Sequence, residues 1–157
     1  MKKYQKYIGP ETNLQISAIN YLDRKRIPCN HSANEIPMTW LKSKVIWFKL
    51  LAKRAKEGVK KGFPDVSIFI PSDQYHGLFI ELKVGYNKPK PEQKVWLETL
   101  NSKGYLACWT NSLDEFIDII EAYLDENMFL TVDENFKVVI EKNLIYESKK
   151  VPFESAN

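Results

Sequence analysis

The sequence predicts an α/β fold, a mixed β-sheet flanked by helices. Three observations lead there. Two apolar runs, V-S-I-F-I from Val66 and L-F-I-E-L from Leu78, flank a polar segment and read as a β-hairpin. A further run, Y-L-A-C-W-T at 105–110, supplies a third strand. Around these lie segments with apolar residues at helical spacing, and strands interleaved with helices build a helix-covered sheet.

Gly9-Pro10 precedes a helix over 11–25, in which Leu14, Ala18 and Leu22 recur every four residues as one apolar stripe. Glu11 falls in its first turn, where a carboxylate favourably meets the helix dipole. Residues 27–35 are ambiguous and fit a short strand running into a loop. Trp40 to Glu57 reads as a second helix, with Trp47, Phe48, Leu51 and Ala55 near one side and Gly58 and Gly62 at its exit. After the hairpin, Pro89 and Pro91 introduce a helix over 92–102, striped by Trp96, Leu97 and Leu100 and stopped near Gly104. Ser112 and Glu115 fit a capping box opening a helix through Phe116, Ile120, Tyr123 and Leu124. Two more β-like runs, F-L-T-V and F-K-V-V-I, surround D-E-N and would form either a hairpin or a dimerisation arm. The expected organisation is one domain over 1–127 with a C-terminal extension over 128–157.

At 157 residues the chain is long enough to bury one core, and 44% hydrophobic with 27% charged residues is a globular composition. Net charge is only +3, but eight Lys or Arg stand between Lys42 and Lys61 against one acid, Glu57. Cys29 and Cys108 have no disulfide-framework spacing, so a reducing interior is expected. The start, M-K-K-Y-Q-K-Y, lacks the apolar stretch of a signal peptide, and no apolar run reaches the roughly 18 residues of a membrane span. No membrane partner and no nucleotide cofactor are expected.

Charge inside the hairpin demands an explanation. With the turn centred on Gln74, Asp65 comes opposite Lys83 and diagonal to Glu81. These three then share one face, while Val66, Ile68, Ile70, Leu78, Ile80 and Leu82 fill the other. Two adjacent carboxylates repel unless a proton or cation intervenes, and oxygen donors suit Mg²⁺ or Mn²⁺, with the backbone carbonyl of Leu82 as a further ligand. Lys83 would either orient a water attacking phosphorus or stabilise charge on the phosphate. The same pattern also fits a cross-strand salt bridge from Asp65 to Lys83.

P-D at 64–65 followed by E-L-K at 81–83 resembles the PD-(D/E)XK nuclease superfamily, and an ordered set of pieces resembles its VRR-NUC branch. These are Glu11 and Gln15, Asn34-Glu35, G-F-P-D at 62–65, G-L-F-I-E-L-K at 77–83, Gln93 with Trp96-Leu97, and G-Y-L-A from Gly104. The resemblance spans residues 10–125. It implies a restriction-endonuclease-like core and a Mg²⁺- or Mn²⁺-dependent endonuclease hydrolysing DNA phosphodiesters, often at branches or flaps. Asp65, Glu81 and the Leu82 carbonyl would hold the metal. Lys83 would act on water or phosphate, Glu11 would be an outer-sphere or second-metal acid, and Gln93 would line the site. Glu11 equally suits the helix dipole alone, Gln15 either supports it or faces solvent, and Glu35 either joins the site or caps a loop. His31 and His76 are expected in loops and, with the cysteines, lack zinc spacing.

Compact relatives from phages and bacteria imply a homodimer that cuts four-way (Holliday) junctions, in the cytoplasm of a bacterial cell or phage-infected host. DNA would be held through phosphates by Lys60, Lys61, Lys88 and Lys90, helped by the basic second helix, without sequence reading. The alternatives are a non-catalytic nucleic-acid-binding module, or a nuclease acting on RNA or in restriction.

Overall fold

A computed structural model describes residues 9–32 and 43–142. The chain runs α1 (Pro10–Lys25), β1 (Cys29–His31), α2 (Lys44–Lys56), β2 (Val66–Ile68), β3 (Leu78–Leu82), α3 (Pro91–Ser102), β4 (Leu106–Thr110), α4 (Leu113–Leu124), β5 (Met128–Val132) and β6 (Val138–Lys142). The main sheet has the order β1-β2-β3-β4. β1–β2 and β2–β3 are antiparallel and β3–β4 is parallel, so the sheet is mixed, as the sequence predicts. The ambiguous stretch after α1 contributes the edge strand β1.

Helices cover both faces because the strands are apolar on both. Val66, Ile68, Leu78, Ile80, Leu82, Leu106 and Cys108 point to one core, closed by Ala18 and Leu22 of α1 and by Phe116, Ile119, Ile120 and Tyr123 of α4. Phe79, Ala107 and Trp109 point the other way and pack on Leu97 and Leu100 of α3. β3 lies inside the sheet with all five residues buried, which is why its sequence is nearly uninterrupted apolar. Glu81 is the one charge in that strand, and a charge so placed persists only with partners.

The hairpin register differs from expectation. The ladder pairs Val66 with Ile80, Ser67 with Phe79 and Ile68 with Leu78, so one step further brings Asp65 level with Glu81, not Lys83. The cause is local: the Ser72 hydroxyl accepts the N–H groups of Gln74 and Tyr75 at 3.3 and 3.1 Å, and the Ser72 N–H meets the Tyr75 carbonyl at 2.9 Å. That turn pulls the hairpin's centre one residue earlier, sliding the pairing by two. Side chains alternate with period two, so every face assignment survives the slip.

Three further expectations change. α2 is helical from Lys44, with Trp40 and Lys42 outside the described residues, but it buries no side chain and Phe48 is 62% exposed. Five cations spread over its 13 residues leave no continuous apolar stripe. At α4, the Ser112 hydroxyl accepts the Glu115 N–H at 3.3 Å, whereas the Glu115 carboxylate binds Thr110 and Lys137 instead of returning to the cap. Finally, His31 is the last residue of β1, not a loop residue.

The described part of the C-terminal thirty residues takes the hairpin alternative. β5 and β6 pair antiparallel, and Leu130 is buried in the same core as α1 and α4. Its turn is fastened to β4: the Trp109 indole N–H donates to the Asn135 carbonyl at 2.7 Å, and Lys137 Nζ lies 3.9 Å from the Trp109 ring centre. Both cysteines are free, and burial pushes the Cys108 thiol up to about 12.

Candidate active site

The C-terminal end of β3 is where the sheet turns polar. Glu81 is 1% exposed and Lys83 8%. Being two residues apart, they project from the same face of the strand, and Lys83 Nζ lies 2.5 Å from Glu81 Oε1. The same oxygen accepts from Gln93 Nε2. Gln93 comes from the first turn of α3, where its Oε1 accepts the Lys90 N–H at 2.8 Å. Capping the helix with the amide oxygen leaves the amide nitrogen aimed at the carboxylate. One side chain therefore starts α3 and orients Glu81.

Asp65 is brought to this cluster by its backbone. Its carbonyl accepts the Ser32 N–H at 2.8 Å, extending the β1–β2 ladder, and its Oδ2 accepts the Leu82 N–H at 2.9 Å. Burial pushes the Asp65 carboxyl above the usual carboxylate range. The Leu82 N–H, Lys83 and His31 oppose that shift, and Glu11 adds to it. Lys83 is thus felt by both carboxylates, and its direct ion pair is with Glu81. The alternative Asp65–Lys83 bridge that a Gln74-centred turn would allow gives way to this pairing because of the two-residue slip.

A close approach fixes the loop before Asp65. At Gly62, φ is +80°, and an added Cβ would stand 2.8 Å from the Glu92 carbonyl carbon and 3.0 Å from the Gln93 nitrogen. The loop is clamped there by Trp96, whose indole donates to the Lys61 carbonyl at 3.1 Å, and by Lys61 Nζ on Glu92 at 2.6 Å. Asp65 and Gln93 are consequently held by the same contact.

The remaining expected residues divide. Glu11 is exposed in the first turn of α1, near enough for its charge to reach Asp65. Gln15 is half-buried one turn on. Leu82 meets Asp65 through its N–H, with its side chain in the core. Lys60, Lys88 and Lys90 are exposed, and Lys61 carries its pair with Glu92. Asn34 and Glu35 lie outside the described residues. His31, whose Nε2 is buried without a hydrogen-bond partner, is the neighbour of Asp65 that sequence reasoning missed. Only the β1–β2 pairing, which a three-residue strand hardly signals, would have revealed it.

Two carboxylates with a nearby backbone make a donor set suited to Mg²⁺ or Mn²⁺, since such ions take one or two carboxylates and keep several waters. Among the described residues, no cluster of three or more His, Cys, Asp or Glu could hold a metal. A Mg²⁺ or Mn²⁺ ion held by Asp65 and Glu81 would have to complete its shell with backbone oxygen and water.

Comparison with known proteins agrees with the fold and the motif. A family model, the VRR-NUC domain, matches residues 32–112, more than half of the chain. A solved structure described as a VRR_NUC domain protein is similar over 75% of this chain and 90% of its own, with 28% identity and a TM-score of 0.60. A second, described as a VRR_NUC domain, covers 74% of this chain and 99% of its own at 20% identity and a TM-score of 0.50, a likeness of fold. No curated protein matches. With the matched segment running from the end of β1 to the start of α4 through Asp65, Glu81, Lys83 and Gln93, the chain belongs to the VRR-NUC domain family, a family of nuclease domains.

Proposed function

We propose that this nuclease is a Mg²⁺- or Mn²⁺-dependent endonuclease that hydrolyses DNA phosphodiesters and selects its substrate by structure. The observation that carries the reading is the buried Lys83–Glu81–Gln93 cluster with Asp65 alongside, two carboxylates and an ammonium gathered at one end of the sheet. Asp65 and Glu81 would hold the metal, with the Leu82 carbonyl as the third protein donor. When bound, the ion would supply charge neutralisation at the scissile phosphate. Gln93 fixes the rotamer of Glu81. Lys83, already beside Glu81, would place its ammonium against the attacking water or the phosphate oxygens. Glu11 would act as an outer-sphere or second-metal acid. In the hydrolysis, the water oxygen bonds to phosphorus as the phosphorus–oxygen ester bond breaks, and the departing oxygen gains a proton.

Lys60, Lys88 and Lys90, with Lys61 exchanging Glu92 for a phosphate, would hold the DNA backbone without reading bases. A homodimer would pair two such sites for symmetric incision of a four-way junction. Among the described residues, no helix is long and apolar enough to cross a membrane.

The test is a labelled panel (linear duplex, hairpin, 5′ flap, four-way junction) incubated with Mg²⁺, Mn²⁺ or chelator, beside a light-scattering mass. Metal-dependent cutting of branched forms, lost in Asp65→Asn while binding persists, is expected. Cutting that survives both chelator and Asp65→Asn would remove the assignment.

A further inference from the structure

The loop leaving β3 carries an aromatic ring that touches almost nothing. Tyr86 is 104% exposed, against 62% for Phe48 and Phe69. A tyrosine ring offers a large apolar face that ordinarily lies down on the protein, because leaving it hydrated is unfavourable. The chain beneath it is anchored. The Asn111 amide donates to the Gly85 carbonyl at 2.8 Å, the Asn87 N–H to the Val84 carbonyl at 3.2 Å, and the Lys83 N–H to the Thr110 carbonyl at 2.8 Å. Pro89 is buried on the far side. The ring is thus held out three residues from Lys83, on a loop whose exposed Lys88 and Lys90 are suited to phosphates.

We infer that Tyr86 is a stacking platform for an unpaired base next to the scissile phosphate, the residue through which the site favours DNA whose bases have left the stack. The inference rests on the nuclease reading above and specifies its substrate. Lysine–phosphate contacts position the backbone but do not touch the bases. An aromatic face can, because every base presents a π-surface once it leaves the duplex stack and none does within it. Selection then follows DNA structure with no sequence read.

The test uses the full chain made inactive by Asp65→Asn, bound to a flap and to a fully paired duplex of equal sequence, each with 2-aminopurine beside the branch position. Quenching of the flap probe is expected, lost in Tyr86→Ala and kept in Tyr86→Trp. The flap-to-duplex affinity ratio should fall about ten-fold in Tyr86→Ala. An unchanged ratio, or quenching that survives Tyr86→Ala, overturns the platform. Because the ring packs on nothing, the thermal midpoint of Tyr86→Ala should match its parent, so lost quenching cannot be lost folding. If the unsubstituted chain shows Tyr86-dependent quenching yet cuts no DNA with either metal, the nuclease reading fails and the stacking assignment stands.

Discussion

Lys83 Nζ and Glu81 Oε1 are 2.5 Å apart at the end of β3, with their side chains 10% and 2% exposed. Two opposite charges in so little water depend on one another, since removing either strands the other without its counter-ion. Glu81→Ala and Lys83→Ala should each cost about 3–5 kcal/mol. Glu81→Ala/Lys83→Ala, which removes both charges, should cost far less than the sum. Urea unfolding of the four proteins measures the coupling, and simple additivity would mean the pair is solvated.

Gly62 should be the least replaceable of the loop glycines. Gly62→Ala must push a methyl into the Glu92–Gln93 backbone and hold a positive φ, for about 2–4 kcal/mol. Gly58 has φ +90° but open space around it, so Gly58→Ala should cost only about 1–2 kcal/mol. Because Gln93 moves with the Gly62 contact, Gly62→Ala should also slow cleavage. Equal stability losses at the two positions would show that the close approach to α3 is absent in solution.

The β5–β6 hairpin should be needed for folding. Leu130 is 2% exposed in the main core, so Leu130→Ala should cost about 2–5 kcal/mol. Truncation after Asn127 would uncover that core and should lower the thermal midpoint further. A truncated chain as stable as the full one would place the hairpin outside the cooperative unit.

Acid should weaken the joint between α1 and α4. Glu121 accepts from Lys25 at 2.8 Å and from the Tyr21 hydroxyl, and these bonds, Lys25 first, hold its carboxyl below the ordinary 4.5. A depressed carboxylate stabilises the fold above its unfolded value and loses that contribution as pH falls through its folded one. Lys25 and Glu121 are about half exposed, so the effect stays under about 1 kcal/mol. Glu121→Gln should be slightly less stable than its parent at pH 7 and equal to it near pH 3. Tyr21, pushed up to about 12 chiefly by burial and then by Glu121, gives the opposite limb, with stability lost as pH climbs from 10 towards 12.

Much of the site is legible in the sequence because β-structure has a period of two. The apolar runs place the turn at Gln74 and Ser72 draws it earlier, yet Asp65, Glu81 and Lys83 keep a common face because the slip is even. Gln93 is legible through the family's ordered motif, but its double role, capping α3 while orienting Glu81, needs the three-dimensional meeting of helix and strand. His31 and the Gly62 contact escape for the same reason, since both depend on partners more than 25 residues away in sequence. α2 misleads because its aromatic residues suggest a buried stripe, while its lysines and arginine leave every side chain at least partly in water.

Calorimetric titration of Mn²⁺ into the chain and into Asp65→Asn tests the central claim most directly. The amide oxygen introduced by that substitution can still accept the Leu82 N–H, so the fold should be kept while one carboxylate charge disappears. Uptake at the Asp65–Glu81 site is expected in the parent, lost or weakened at least about ten-fold in the variant, with cleavage falling in step. Equal uptake by both proteins, or none by the parent while it still cuts DNA, would contradict it.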